Sequence, residues 1–493
     1  MAPLFELKVT TAAAGSREIA AHLFRQLKAA ILDGRLPPGA RLPPTRDAQQ
    51  LFGVSRNTAQ DVYDRLAEEG LLWARHGSGT FVGNARPVQS SLSSATAGGL
   101  PGKVNPFWQR TDIAAWIGFW HERQGSAPST APVADLRPAL IDQQLFPHAI
   151  FRQVMARQLR RLETNPTSSR SAQRNQGNGR LRQAIAEHVG VTRAVACLPD
   201  DVLVTSGAQQ AFDLIARALV IPGKTVVAVE DPGYPPMRVP FAAAGARLVP
   251  VPVDGEGIVV DAIPTAANIV CVCPSHQFPL GMPMSTRRRD ALLGFARNTG
   301  AVIVEDDYDG EFRYDGSPLE ALRGAGSASQ VFYVGSFSKC MFPAIRLGFL
   351  VSPPWALPAL VAAKNSTDWH SSIPVQAATA AFIREGHLAR HIRRMRRIYG
   401  DRRERLLRSL HDRLGGVLSV VPSFYGMHVA AIAREEMDCD AVSEALANEG
   451  VMIHSLRRYF LGPPTRSGFI IGYAAAGGEG LELAVDAIAR ELS

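Results

Sequence analysis

No CxxC pair occurs in this 493-residue sequence, which holds only five cysteines: Cys197, Cys271, Cys273, Cys340 and Cys439. Cys271 and Cys273 alternate within an apolar run, as core thiols of a strand do in a reducing compartment. No metal-ligand spacing is present, and no metal site is expected. No apolar run approaches a membrane span, no signal peptide opens the chain and no internal repeat is visible. The expectation is a cytoplasmic protein with no membrane partner. With 46% hydrophobic and 20% charged residues, wholesale disorder is excluded as well.

What the chain does have is length and basic charge. It is too long for one core, and length alone suggests about three domains. A net charge of +8 is compatible with a polyanionic partner without establishing one. Much of the surplus lies in 391–408, HIRRMRRIYGDRRERLLR, most simply the solvated face of a long helix.

The first eighty residues carry a recognisable order of signals. From Ser16, a helical pattern sets Ile19, Leu23, Leu27 and Ile31 on one face and ends at Asp33-Gly34. The connector LPPGARLPPTR leads to a second helix that Thr45 is expected to cap. Leu51-Phe52-Gly53 closes it, Val54 packs the turn, and Ser55 caps a third helix carrying Val62, Leu66 and Gly70. Leu71–Trp73 and Thr80–Val82 then flank a glycine-tipped turn, which makes a helix-turn-helix with a wing. Ser55, Arg56, Asn57 and Thr58 fall where side chains reach base edges in a major groove of double-stranded DNA. Arg46 can grip the backbone, and Gly77 leaves the wing tip free to approach a minor groove.

Residues 84–133 change character. Ser, Gly, Ala and Pro tracts read as flexible linker, interrupted by an aromatic piece with Phe107, Trp108, Trp116, Phe119 and Trp120. Its tryptophans need burial, so a short helix docked on another surface is expected. From Asp135 onward, apolar strands alternate with amphipathic helices, the pattern of a mostly parallel, doubly wound α/β sheet. Beyond about 370 a long basic helix and fewer strands suggest a smaller α+β subdomain.

Two loops in this region carry chemistry. In VFYVGSFSKCMFPAIRLG, Lys339 follows a strand among small residues, with Ser336, Ser338 and Arg346 beside it. That setting suits a Schiff base to a phosphate-bearing aldehyde cofactor. In AVIVEDDYD, Asp306 and Tyr308 stand at the C-terminal end of a strand, where open α/β sheets bind ligands. A carboxylate there keeps a pyridine nitrogen protonated, and a tyrosine can hydrogen-bond a ring hydroxyl. Ser206-Gly207-Ala208-Gln209 opens a helix whose free N–H groups can hold a phosphate.

These motifs resemble known families. LPPGxRLPxTR, LFGVSRNT and HGSGTFV resemble the winged helix of GntR-family regulators, and the resemblance implies that Arg46, Ser55, Arg56, Asn57, Thr58, His76 and Gly77 line the DNA. Asp306, Tyr308, Lys339 and Arg346 resemble the site of fold-type-I pyridoxal 5'-phosphate enzymes. By that resemblance Lys339 bonds the cofactor, Gly207, Ala208, Gln209, Ser336, Ser338 and Arg346 form the phosphate cup, and Tyr234 stacks on the ring. Together with HQFPLG and EDDYDGEFRY they resemble the MocR (GabR-like) regulators across essentially the whole chain. The implied layout is a winged helix at 1–83, a linker at 84–133 and an aminotransferase-like domain at 134–493 with large α/β and small α+β subdomains. It implies a domain-crossed homodimer on an operator with two half-sites, responding to a small amine or amino acid, or to pyridoxal 5'-phosphate itself. The competing expectation is an aminotransferase with a DNA-binding appendage.

The sequence departs from the aminotransferase pattern in three places. Phe278 stands where an asparagine would bond the cofactor's phenolic oxygen, leaving Tyr308, with His276 or Gln277, to compensate. SGFIIGYA lacks the arginine that clamps a substrate carboxylate, and Arg466 is out of register. SAQRNQGNGRLRQ lacks the tyrosine that reaches the phosphate across the dimer.

Overall fold

The computed structural model describes residues 16–75, 77–83, 104–120, 132–164, 175–315 and 319–492. The chain divides into two compact units, Met1–Val104 and Asn105–Ser493. Among the described residues, no helix is long and apolar enough to cross a membrane.

In the first unit, α1 (Ser16–Leu32), α2 (Thr45–Phe52) and α3 (Arg56–Glu68) precede a hairpin of β1 (Leu72–Arg75) and β2 (Gly79–Val82). Four-residue spacing brings Leu23, Leu27 and Ile31 of α1 onto Phe52 of α2 and Val62 and Leu66 of α3 as one buried core. The turn between α2 and α3 needs the left-handed Gly53 (φ 65°), after which Val54 N–H donates to the Gln49 carbonyl (3.2 Å). Ser55 caps α3 by accepting from the Thr58 N–H (3.1 Å). Two local expectations need correction. The N-cap of α2 is Pro44, whose carbonyl accepts from the N–H groups of Asp47 and Ala48, so Thr45 already lies inside the helix and makes no cap. Gly70, at φ +73°, lies beyond α3 and lets the chain turn into β1.

The second unit is built on an eight-stranded mixed sheet. Its spatial order is Val202–Thr205, Gly348–Val351, Val331–Ser336, Val302–Asp307, Ile269–Val272, Val226–Asp231, Arg247–Asp254 and Gly257–Ile258. The five strands from Val331–Ser336 to Arg247–Asp254 are mutually parallel. Gly348–Val351 runs antiparallel to both neighbours. Period-two alternation sends successive side chains to opposite faces. Val227, Val229 and Cys271 pack with Phe212 and Ile215 of the helix Ala208–Leu219. Ala228, Val270 and Val272 pack with Leu292 and Ala296 of Thr286–Thr299 on the other face. Cys271 and Cys273 are both buried free thiols.

The smaller subdomain holds a four-stranded antiparallel sheet and the 28-residue helix His387–Leu414. That helix buries Leu388, Ile392, Met395, Tyr399, Leu406 and Leu410 along one stripe. Its basic face is only partly solvated. Arg396 donates to the Glu311 carbonyl (2.6 Å), Arg402 to Asp142 (2.9 Å) and Arg403 to the Ser423 carbonyl. The first two guanidiniums reach residues outside the stretch beyond 370 and the third stays within it, because a long stem can cross an apolar surface to reach an oxygen.

The aromatic piece between the two units belongs to the second. Pro106–Gln109 and Gly118–Trp120 form single 3-10 turns on either side of α4 (Thr111–Ile117). Ile113 and Trp116 are buried against Val239 of the helix Pro235–Ala243. Phe119 sits edge-on to Tyr234 and Tyr459 at ring separations of 6.1 and 5.2 Å. The expectation that every tryptophan here is buried needs correction: Trp108 is 51% exposed.

Candidate functional site

The site grows from the C-terminal ends of parallel strands. Register pairs Val334 with Asp306 and Gly335 with Asp307, so the loop carrying Lys339 leaves the sheet directly beside the acidic strand end. Alternation along that strand sorts the acidic run. Glu305 receives the N–H groups of Leu322 and Arg323, and Asp307 accepts from Arg193 (2.6 Å) and Tyr333 (2.5 Å). Asp306 and Tyr308 face the cavity instead.

Close backbone approach makes the cup. Gly207, at φ +88°, precedes the helix Ala208–Leu219, and a Cβ there would stand 3.4 Å from the Arg346 guanidinium. Arg346 donates to the Ser206 carbonyl (3.1 Å). Across the gap, a Cβ on Gly348 would meet the Gly207 backbone at 2.9 Å, so only glycine lets the two loops close. Ser336 Oγ accepts from the Ser338 N–H (3.1 Å) and donates to Ser338 Oγ (3.0 Å). Gln209 donates to the Pro236 carbonyl (2.9 Å), joining the cup to the turn that holds Tyr234. Gly207, Ala208, Gln209, Tyr234, Asp306, Tyr308, Ser336, Ser338, Lys339 and Arg346 all line one cavity of about 600 Å³.

Electrostatics in the cavity are set by withdrawal from water. Burial, with Asp307 and Asp309 nearby, pushes the Asp306 carboxyl up to about 8. Burial also lowers the Lys339 ammonium to about 8, against the pull of Asp309 and Asp306. The Lys339 amine donates to the Ala139 carbonyl. A buried carboxyl poised to lose its proton is suited to a protonated ring nitrogen, and an amine with a depressed pKa is suited to an aldehyde. Gly207, the two serines and Arg346 supply N–H, hydroxyl and guanidinium groups for a phosphate. The side chains present therefore fit pyridoxal 5'-phosphate.

Around Tyr308 the structure adds what the sequence left open. His276 Nδ1 lies 2.6 Å from Tyr308 Oη and 3.0 Å from Asp309. Burial pushes the imidazole down to about 3 and the Asp309 carboxyl well up. His276 Nε2 is buried with no hydrogen-bond partner. An orphaned acceptor is tolerated better than an orphaned donor, which favours the tautomer protonated at Nδ1. In that tautomer Nδ1–H serves Asp309 and Tyr308 Oη, and Tyr308 keeps its own proton for an acceptor in the cavity. Gln277 does not share this role. Its amide donates to the Phe278 carbonyl within the turn and to the Pro232 carbonyl of the loop before Tyr234, and its oxygen accepts from the Leu280 N–H. Phe278 lines the cavity edge-on to Tyr234 (5.5 Å) and Tyr308 (5.3 Å). Arg466 reaches the Val253 carbonyl (3.4 Å) and does not line the cavity. His276, Asp309 and His428 cluster within 4.8 Å, but His276 is engaged with Asp309 and His428 Nε2 with the Pro279 carbonyl (2.9 Å).

Sequence reasoning missed several lining residues: Arg137, Ala139 and Leu140 before the first long helix of this unit, and Trp108, Trp116 and Ile117. The only signal for the latter was an aromatic cluster inside an otherwise small-residue stretch.

In the N-terminal unit, Arg46, Ser55, Arg56, Asn57 and Gly77 are exposed and Thr58 is half-buried. The Ser55 hydroxyl is held by the Thr58 N–H and Oγ1, so Arg56 and Asn57 are the side chains most available at the start of α3. Gln60 is bonded to Asp64 (2.8 Å). His76 lies outside the described residues.

Comparison with known proteins gives a consistent picture. Residues 144–488 match the aminotransferase class I and II family, and residues 19–82 match the bacterial regulatory proteins of the gntR family. The chain is 34% identical to the probable rhizopine catabolism regulatory protein MocR of Rhizobium meliloti, over 92% of this chain and 89% of that protein. It is 29% identical to the pyridoxine biosynthesis transcriptional regulator PdxR of Corynebacterium glutamicum, over 93% of this chain and 92% of that one. Among solved structures it resembles LysN, the α-aminoadipate aminotransferase of Thermus thermophilus, complexed with N-(5'-phosphopyridoxyl)-L-leucine. The TM-score is 0.66 and the identity 27%, over 73% of this chain and 92% of that one.

Proposed function

The chain belongs to the MocR-like regulators of the gntR family, which join a DNA-binding winged helix to an aminotransferase class I and II domain, and we propose that this one senses a small amine through pyridoxal 5'-phosphate held at Lys339. The observation that carries this reading is one cavity in which a half-buried lysine, a buried aspartate and a glycine-serine-arginine cup meet. Bound there, the cofactor supplies an electrophilic carbon at which one primary amine displaces another. Lys339 is the resident amine, Asp306 holds the ring-nitrogen proton, and Tyr308, oriented by His276 and Asp309, donates to the ring oxygen. Gly207, Ala208, Gln209, Ser336, Ser338 and Arg346 bind the phosphate, and Tyr234 stacks on the ring.

An amine taking the place of Lys339 there would leave the Lys339 amine free to move and would change the balance between the large and small subdomains. Through the linker that change alters how the winged helices of a domain-crossed homodimer meet two operator half-sites in the cytoplasm. A coupling of about 1–3 kcal/mol suffices. Arg46, Arg56 and Asn57 with the Ser55–Thr58 cap, His76 and Gly77 form the DNA face.

A second reading takes pyridoxal 5'-phosphate itself as the signal. Arg466 is bonded to the Val253 carbonyl and lies off the cavity, and PdxR is named as a pyridoxine biosynthesis regulator. Residual transamination is a third outcome, since a lysine and an aspartate are in place. One titration separates them. Absorption of the loaded protein is followed with primary amines, amino acids and then a 2-oxo acid, beside a gel shift on operator DNA. A band shift with one amine that also changes DNA affinity supports the amine sensor. DNA affinity that follows cofactor loading alone supports the second reading. Conversion to the pyridoxamine form, reversed by the oxo acid, makes it an enzyme.

A further inference from the structure

Within the cofactor cavity a second lining comes from the aromatic piece at residues 105–120. Trp108, Trp116 and Ile117 contribute to its wall with Leu140 and Val239. Trp116 is fixed: it is 9% exposed, packs on Val239, and the Arg238 guanidinium lies 6.0 Å from its ring. Trp108 and Ile117 line the same cavity while 51% and 47% exposed. An indole and an isoleucine left half in water at a cavity wall are apolar surface that a ligand covers with gain.

The charged lining limits what that ligand is. The cations on the cavity wall are Arg137, Lys339 and Arg346. Arg346 belongs to the cup beside Gly207 and Lys339 is the resident amine. Both oxygens of Asp135 hold the Arg137 guanidinium, at 2.9 and 2.6 Å. A ligand carboxylate would have to displace Asp135 from a bidentate pair, and it would enter a wall of indole and aliphatic carbon.

We infer that Trp108, Trp116 and Ile117 form an effector subsite for an aromatic primary amine that carries no carboxylate. This rests on the reading of the cavity as the cofactor site and deepens it by naming the effector class. It also gives the effector a direct contact with residues 105–120, the stretch whose chain continues through 84–104 to the DNA-binding unit. Trp116 is the buried wall and Trp108 the half-exposed one, so occupancy bears directly on residues 105–120.

The test uses the full-length, cofactor-loaded protein and three probes: 2-phenylethylamine, n-butylamine and L-phenylalanine. Half-saturation is read from the cofactor absorption band. 2-Phenylethylamine is expected to saturate at a concentration at least about tenfold below L-phenylalanine, which is about 1.4 kcal/mol. Trp108→Ala, which removes no buried side chain, raises the 2-phenylethylamine value about tenfold and leaves n-butylamine nearly unmoved. Trp108→Phe restores most of the loss. Equal or better binding of L-phenylalanine overturns the inference, as does a Trp108→Ala protein with an unchanged 2-phenylethylamine value. Borohydride reduction and peptide mass analysis run in parallel. A pyridoxyl group on Lys339 without the aromatic preference removes the subsite alone; no adduct on Lys339 removes the cofactor reading and the subsite together.

Discussion

Two sets of functional side chains in this molecule reach their places by different routes. Those of the winged helix lie between Arg46 and Gly77, and turns and caps a few residues long set them out in water. Those of the cavity come from as far apart as Trp108 and Arg346, and the fold gathers them around a pocket in which Asp306 and the Lys339 amine are withdrawn from water. The consequence is chemical. An exposed arginine beside DNA acts by Coulomb attraction and hydrogen bonding. A buried carboxyl and amine are moved to about 8 each, where small changes in a partner decide who holds the proton. One region displays its side chains to water, the other withdraws an acid and an amine from it.

Several experiments break or sharpen that contrast. The largest effect is expected from Lys339→Ala, which abolishes covalent retention of pyridoxal 5'-phosphate, read by borohydride reduction and mass analysis. Amine-dependent change in operator affinity disappears with it, and a surviving response would mean that the amine acts elsewhere. Asp306→Asn keeps the shape but removes the charge facing the ring nitrogen. Cofactor affinity is expected to fall by roughly 10–100-fold, about 1.4–2.8 kcal/mol, measured by equilibrium dialysis.

On the DNA side, Arg56→Ala should weaken operator binding by about 1–3 kcal/mol without changing the melting temperature. A stability loss of the same size would show that the residue is structural. Ser55→Ala removes the cap of α3 and should cost about 1 kcal/mol of unfolding free energy, seen by urea denaturation of the full chain. An unchanged urea profile would mean the cap bond contributes nothing.

The smallest effect is the pH dependence of the cofactor-free protein. Asp306, Glu230 and Glu305, raised to about 8, 8 and 7, hold protons in the folded state that the unfolded chain has already released near pH 4. Their contribution to stability is full below the unfolded pKa and is lost as pH rises through the folded values. His276, lowered to about 3, works in the opposite direction but only up to the unfolded histidine value near 6.5. Between about pH 6.5 and 7.5 the carboxyls dominate, because Lys339, lowered to about 8, opposes them only as pH nears that value, so the melting temperature should fall across that window. Asp306→Asn should flatten the fall, and a melting temperature that rises there would contradict the assigned protonation.

What the sequence alone determined is the part governed by local chemistry. Gly53, Val54 and Ser55 dictate a helix-turn-helix because a left-handed glycine and a hydroxyl cap act over a few residues. The apolar strands that precede Asp306 and Lys339 announce themselves by composition, and ligand sites fall at such strand ends because the peptide geometry of parallel sheets opens there. Thr45 misled because the proline before it had already taken the capping place. Tertiary structure alone decided the rest. That Asp309 orients His276 onto Tyr308, that Asp135 occupies Arg137, and that Trp108 and Trp116 of a supposed linker wall the cavity have no periodicity to betray them. Each depends on which surfaces meet once the sheet is wound, and burial and contact between distant residues are properties of the packed chain, not of any stretch of it.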